Sequence, residues 1–405
     1  MRKVVLFLLA IALVNCSPKT PDLVGNWRAV VEMQGQELPF TFELQKQEST
    51  FKAIIHNGEE RLTLDEVSVQ GDSLVMVMHI FDAQIKAKIE EGKLTGSFVK
   101  NYDLTATVPF RATKGDTHRF AKAGPADVDF SGKYAVTFTS EKDTIEAVGV
   151  FNQVNNEVTG TFLTPTGDYR YLQGNVVDKQ LKLSAFDGNH TYVFTAIQQG
   201  DSLVGHFYSG KALHENWIGV KSENATLPSA ESLTYLKEGY DKIEFSFPDV
   251  NGAKISPQDE VFKNKVLILQ LFGTWCPNCM DETKFLSEWY TANKDRGVEI
   301  IGLAYERKDD FTYASERVKK MQEKLKVDYT FVIAGVNDKV KAAETLPMLQ
   351  KVAAFPTTIF IGKDGKVKKI HSGFSGPGTG IYFDQFKEDF NQTVNELLSE
   401  QSTLQ

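Results

Sequence analysis

Hydrophobic and polar positions follow two different rhythms along the chain. From residue 24 to about residue 220 they alternate in short runs, such as "TFKAIIHN" from Thr50 and "LVMVMHIF" from Leu74, rich in β-branched and aromatic residues. That period of two marks half-buried strands. Turn dipeptides at Asn57-Gly58, Gly71-Asp72, Thr166-Gly167 and Asp187-Gly188 punctuate the region, the signature of hairpin-linked antiparallel strands. Beyond about residue 240 the order changes. The sequence predicts a hairpin in "IEFSFPDVNGAKIS" from Ile243, a central apolar strand in "KVLILQLFG" from Lys265, a helix beginning at the cysteines, and a strand in "GVEIIGLAYE" from Gly297. An amphipathic helix over 313–325, a strand in "YTFVIAG" from Tyr329, a helix over 339–351, a hairpin in "TTIFIGKDGKVKKIHSGF" from Thr357 and a helix over 384–398 follow. Strands alternating with helices imply a mainly parallel sheet covered on both faces.

The strand-rich region also repeats itself. "VGNWRAVV" from Val24 is echoed by "SGKYAVTF" from Ser131, "IFD" from Ile80 by "AFD" from Ala185, and "KLTGSF" from Lys93 by "SLVGHF" from Ser202, at offsets of 105 to 109 residues. A unit of about a hundred residues therefore occurs twice, each long enough for roughly eight strands. Closing eight antiparallel strands into a small barrel removes the edges that invite aggregation, and one sandwich built from both copies is the other arrangement the pattern permits. Gly25-x-Trp27 resembles the opening of lipocalin-like barrels, with Tyr134 replacing the Trp in the second copy. No polar cluster marks a ligand cavity, so a spacer or partner-docking role stands ahead of ligand binding. "ENATLPSAESLTYLKEGY", residues 223–240, breaks the strand rhythm and reads as a linker with one helical turn. The expected organisation is a leader over 1–15, antiparallel all-β meander or barrel units over 16–122 and 123–222, a linker over 223–240, and an α/β domain over 241–401.

Charge and leader narrow the partners. The chain has 405 residues and a net charge of −8 with both signs interspersed, which offers nucleic acid no electrostatic footprint. Arg2 and Lys3 precede an apolar run from Val4 to Val14, too short to span a bilayer but suited to a secretory leader, so export is expected. The run ends in "LVNC", which resembles a bacterial lipobox with Asn15 in place of the usual small residue; the resemblance implies a lipid on Cys16 and attachment to the membrane. The alternative makes Cys16 part of a discarded leader. Lipidation would leave Cys276 and Cys279 as a neighbouring pair and no structural disulfide to build.

"VLILQLFGTWCPNC", joined to the downstream "FPTTIFIGKDGKV", resembles the thioredoxin fold, in particular the TlpA and ResA subfamily of exported, membrane-associated thiol-disulfide oxidoreductases, over about the last 165 residues. The resemblance implies reduction of disulfides in exported proteins, electrons drawn from a membrane thiol donor, and neither cofactor nor metal. The pair by itself permits oxidation equally, since direction depends on its reduction potential. If Cys276 caps the helix, unpaired amides and the helix dipole favour its thiolate, the attacking form, and Cys279 then resolves the mixed disulfide. Pro277 suits the first helical position.

Pro356, between Phe355 and Thr357, matches the proline that is cis in thioredoxin-like proteins and faces the disulfide. The Phe355 backbone would then pair with an extended substrate, with Phe355 and Trp275 offering apolar contact, so Trp275, Pro277, Phe355, Pro356 and Thr357 are assigned to substrate binding. An ordinary trans proline at a strand start is the alternative. Glu282, three residues after Cys279, matches the acidic residue of ResA-like sites and reads either as the acceptor of the Cys279 proton or, with Asp281, as a complement to the helix dipole. Gln270 stands where thioredoxins carry a buried Asp and cannot take a proton. Lys284 replaces the proline that usually kinks the active-site helix, which should therefore run straight.

Competing chemistries lack their residues. Zinc would need a second pair of ligands, haem a His where Met280 stands, and a peroxiredoxin loop a Pro and Thr where Leu269 and Gly273 stand. Two other functions remain in play: a peroxidase-like thiol antioxidant, and an envelope binding or assembly module in the β units with the last domain as a redox-sensitive dock. Ser17 gives no acidic retention signal, and the family then implies the periplasmic face of the outer membrane.

Overall fold

Gly25 and Gly132 open the two repeats alike. Their φ angles are +123° and +125°, and each precedes by two residues a ring that donates to the carbonyl four positions earlier: Trp27 Nε1 to Leu23 O at 2.9 Å, and Tyr134 Oη to Phe130 O at 3.2 Å. The computed structural model, which describes residues 22–48, 50–141 and 143–400, carries this equivalence through two closed barrels. The leader and Cys16 lie outside the described residues. In the first barrel Gly25–Met33 pairs on one side with Gln36–Gln47 and on the other with Asp103–Lys114, closing eight strands. In the second, Thr144–Val154 pairs with both Gly132–Thr139 and Glu157–Thr164, and Leu213–Lys221 returns to Gly132–Thr139. Two separate barrels therefore form rather than one sandwich. Buried Trp27, Phe40, Phe42 and Phe110 pack the first interior, and Phe138, Phe162, Phe207 and Trp217 the second.

The two barrels are locked together by aromatic and hydrogen-bonded contacts. Phe186 of the second stacks on Phe40 of the first at 4.3 Å and meets Phe98 edge-on at 5.0 Å. Arg119, in the connection, is buried and donates to Pro39 O (3.0 Å) and Asn57 Oδ1 (3.1 Å) on one side and Ser184 Oγ (3.0 Å) on the other. Residues 223–240 contain the expected single turn, Ala230–Ser232, yet they lie along the last domain rather than swinging free. Thr234 is fully buried there, accepting from Ser372 Oγ at 2.7 Å and from the Ala353 amide at 3.2 Å.

The last domain alternates β1 (Val266–Phe272), α1 (Pro277–Asn293), β2 (Val298–Glu306), α2 (Phe311–Leu325), β3 (Thr330–Val336), α3 (Lys339–Thr345), β4 (Thr357–Ile361), β5 (Val367–Ser372) and α4 (Ile381–Ser399). The sheet order is β3-β2-β1-β4-β5, and every residue of β1 is buried, as its unbroken apolar run requires. The sheet is mixed rather than mainly parallel. β1, β2 and β3 run together, but β4 is antiparallel to β1, and the short turn into β5 forces another antiparallel pairing. The third helix stops at Thr345 instead of residue 351, because Pro347 lacks an amide and restricts Leu346 before it. α1 continues without a break through Lys284. Among the described residues no helix is long and apolar enough to cross a membrane.

Candidate active site

The four residues between β1 and α1 aim the cysteine pair from the end of the central strand into the first turn of a helix. Cys276 is the N-cap, extended at φ −105°, and the amide of Cys279 donates to its Sγ at 3.1 Å. Pro277 occupies the first helical position, where its missing N–H leaves nothing unsatisfied. The two sulfurs are joined in a disulfide, with Cα atoms 5.2 Å apart. Cys276 is 6% exposed and Cys279 0%, so a partner can meet only the first sulfur. A thiolate at Cys276 would sit against an unspent amide and the positive end of α1.

Beneath the pair lies a buried polar chain. Glu282 Oε2 accepts from Gln270 Nε2 at 2.7 Å and its Oε1 from Thr358 Oγ1 at 2.7 Å. Thr283 Oγ1 (3.2 Å) and Tyr329 Oη (3.3 Å) donate to the Gln270 carbonyl. Burial pushes Glu282 up to about 7, against the two hydrogen bonds that favour its charge. Gln270 thus orients Glu282 without competing for its proton. A second buried carboxylate, which sequence reasoning missed, closes β2: Glu306 accepts from the Thr274 amide at 2.8 Å and hydroxyl at 2.9 Å, and burial raises it to about 7.

The peptide between Phe355 and Pro356 is cis, and Phe355 O lies 3.6 Å from Cys276 Sγ. Trp275 meets Phe355 edge-on at 5.9 Å while its Nε1 donates to Tyr305 O at 2.8 Å. Trp275 and Phe355 keep some exposure beside the sulfur, whereas Pro277 and Pro356 are buried. Thr357 is fully buried and its hydroxyl donates inward to Ala354 O at 2.9 Å, so its side chain braces the proline loop. The structure therefore gathers Trp275, Cys276, Pro277, Cys279, Phe355 and Pro356 at one place, with Glu282 below.

What the sequence did not reveal is that both barrels join this place. Arg170 of the second barrel, its side chain 3% exposed, donates to Pro277 O at 3.0 Å and pairs with Asp281 of α1, Glu60 of the first barrel and, at 3.6 Å, Asp187. One guanidinium thereby binds all three units at the start of α1. Those carboxylates outweigh burial and raise its pKa well above the ordinary value. Asn278 Nδ2 donates to Asp168 O at 3.0 Å, Asn189 Nδ2 to Trp275 O at 2.9 Å, and the Gly376 amide to Asp168 Oδ2 at 2.7 Å. Contact is close enough that a Cβ on Gly378 would stand 2.8 Å from the carbonyl carbon of Arg170. The first barrel adds Asp82, which accepts from Tyr313 Oη of α2 at 3.0 Å. A signal was available: the echoed "IFD" and "AFD" place Asp82 and Asp187 at equivalent points, the first bonded to Tyr313 of the last domain and the second paired with Arg170, which reaches it.

The Redoxin family profile matches residues 228–384. The thiol-disulfide oxidoreductase ResA of Bacillus subtilis (strain 168) is 30% identical over 156 residues, which cover 38% of this chain and 77% of that protein. ResA of Bacillus thuringiensis subsp. konkukian is 31% identical over 129 residues, 32% of this chain, and the chain spans 66% of that relative's length. Among solved structures, a putative thiol:disulfide interchange protein DsbE from Chlorobium tepidum is 19% identical with a TM-score of 0.32, covering 41% of this chain and 100% of that one. The Redoxin match reaches neither barrel, and it includes both cysteines and the cis-proline loop. Through its last domain, the chain belongs to the ResA family of thiol-disulfide oxidoreductases.

Proposed function

We propose that the chain is an exported, membrane-anchored enzyme that reduces disulfides of other exported proteins through Cys276 and Cys279. The observation that carries this reading is the asymmetry of the pair: one sulfur reachable at a helix start with an amide aimed at it, the other sealed one turn below. In the reduced enzyme the Cys276 thiolate attacks one sulfur of a substrate disulfide. A mixed disulfide forms, and the first substrate thiolate leaves and takes a proton from solvent. Glu282 accepts the proton of Cys279, whose thiolate attacks Cys276 Sγ and expels the second substrate thiolate. The substrate gains two electrons, the enzyme closes its disulfide, and an external dithiol donor must reopen it. Phe355 O beside the sulfur supports an extended substrate strand, and Trp275 and Phe355 support apolar flanking residues.

The test is reduction of insulin and of peptide disulfides by the full chain, with the pair's potential measured against a glutathione buffer. Turnover lost in Cys276→Ser, together with a potential near the −270 mV typical of thioredoxin, is the expected result; a value near −120 mV makes the enzyme an oxidant. Anchoring rests on the leader and on Cys16. Cys16→Ser should move the protein from the membrane fraction to the soluble one, and labelled fatty acid should no longer be incorporated. Placement on the periplasmic face of the outer membrane belongs to the same proposal and is read by separating the two membranes.

A further inference from the structure

Arg307, the first residue after β2, stands beside the redox pair with its donors unspent. Its guanidinium carbon lies 3.8 Å from the ring centre of Tyr102 in the first barrel and 5.3 Å from that of Trp275, the neighbour of Cys276. Nε is buried without a hydrogen-bond partner, and among the described residues the side chain forms no ion pair. Stacking on ring faces satisfies the cation but leaves the in-plane N–H fork free, which is the edge that grips a carboxylate. The carboxylates nearby are already engaged. Glu306 holds Thr274, Asp82 holds Tyr313 and Asn101, and Asp187 holds Arg170, Asn189 and His190. Tyr102 is tied to the site through Asn189, whose side chain contacts both Tyr102 Oη (3.5 Å) and Trp275 O (2.9 Å). A largely buried cation with no carboxylate paired to it is costly unless a ligand supplies one.

We propose that Arg307, with Tyr102 and Trp275 as walls, forms an anion subsite that takes a carboxylate carried next to the substrate's disulfide. The inference rests on the exchange chemistry proposed above and names the substrate class: disulfides flanked by acidic groups. That carboxylate belongs either to a Glu or Asp beside the cysteine of a polypeptide or to a small carboxylated disulfide of the glutathione type. The subsite also gives the first barrel a role in selection, since Tyr102 comes from there.

The full chain is assayed on two cyclic peptide disulfides identical except for Glu or Gln beside each cysteine, and on glutathione disulfide and its ester. The expected Glu-over-Gln ratio in kcat/KM is about tenfold, the scale of one charge-assisted contact. Arg307→Met should bring the ratio close to one, and Arg307→Lys should keep part of it because charge survives without the fork. A carboxylate preference confined to the peptides assigns a polypeptide source, and one seen between glutathione disulfide and its ester assigns a small-molecule source. Peptides with Ser for Cys, titrated by fluorescence anisotropy, read binding without exchange. If wild type turns over neither disulfide yet binds the Glu peptide more tightly, the exchange reading fails and the subsite stands. If it turns over both peptides with equal kcat/KM and binds both alike, or if Arg307→Met keeps the wild-type ratio, the subsite is overturned.

Discussion

Glu282→Gln separates proton transfer from packing at the resolving step. Glu282 is shifted from an ordinary 4.5 to about 7 by burial, so its carboxylate takes up a proton within the range where exchange is measured. A shift of that size amounts to roughly 3 kcal/mol of preference for the neutral form. Below pH 7 the group already holds a proton and cannot accept another from Cys279; above it the acceptor is present. The rate of resolution should therefore rise through about pH 7 and level off. Glutamine nearly matches the shape and keeps an oxygen for the Thr358 hydroxyl, which donates at 2.7 Å, but its amide nitrogen cannot accept from Gln270 Nε2 and the side chain cannot take a proton. General-base assistance is typically worth about 10² to 10⁴, so the variant should resolve about a hundredfold more slowly at pH 8.

The assay uses the reduced enzyme and dithiobis(nitrobenzoate). The first nitrothiolate is released as the mixed disulfide forms on Cys276, the second as Cys279 resolves it, and stopped-flow absorbance separates the two. Glu306 carries a similar shift at the end of β2, so Glu306→Gln is the control and should keep the inflection. An inflection near pH 7 that persists in Glu282→Gln, or a second phase slowed by less than threefold, would refute the assignment and leave Glu282 as a packing group.

Other outcomes follow from the same geometry. Iodoacetamide should label Cys276 in the reduced chain and spare Cys279, whose exposure is 0%; mass spectrometry of tryptic peptides reads this directly, and equal labelling would contradict the asymmetry. Stability should fall as pH rises, because the folded forms of Glu282 and Glu306 hold protons that the unfolded chain releases near 4.5, and this stabilisation is lost through about pH 7. Between pH 6 and 8 the loss is about 1 kcal/mol per carboxylate, and because His79 and His371, held near 4 by burial, act in the opposite direction, it is read by urea denaturation as the difference between wild type and Glu282→Gln/Glu306→Gln; equal pH profiles of the two would contradict it. Arg170→Met leaves Glu60, Asp187 and Asp281 without their shared cation and should cost about 3–5 kcal/mol, read as an earlier thermal transition. A melting curve unchanged from wild type would mean that the interface does not depend on the pairing.

The barrels were legible because their information is local. Alternation, turn dipeptides and the echo of Gly25-x-Trp27 at Gly132-x-Tyr134 each sit within a few residues, and the structure gives the echo a common hydrogen bond. The cysteine pair and its proline were legible for the same reason, as short motifs on predictable elements. The Arg170 cluster was not, since its members come from residues 60, 170, 187 and 281, and each alone looks like an ordinary surface charge. The same holds for Arg307, which became distinctive only when Tyr102, two hundred positions earlier, was found against it. The end of α3 was a different miss: helical periodicity continued past residue 345, but Pro347 overrode it.

The clamp on α1 constrains how the barrels can influence the thiol. A lone guanidinium near Cys276 would stabilise its thiolate, but Arg170 is matched by Glu60, Asp187 and Asp281, so the cluster offers the sulfur no surplus positive charge. The favourable field at Cys276 comes instead from the Cys279 amide, the start of α1 and Arg307, which lies against Trp275 and has no ion pair among the described residues. Arg170 also holds Pro277 O, Asn278 grips Asp168 O, and Asn189 grips Trp275 O, so the residues on both sides of Cys276 are pinned by backbone contacts from the second barrel. Such contacts fix geometry rather than charge. The second barrel should therefore govern the rate through the shape of the approach to Cys276, and shift its reduction potential less than a change at Pro277 or Asn278, which lie between the sulfurs.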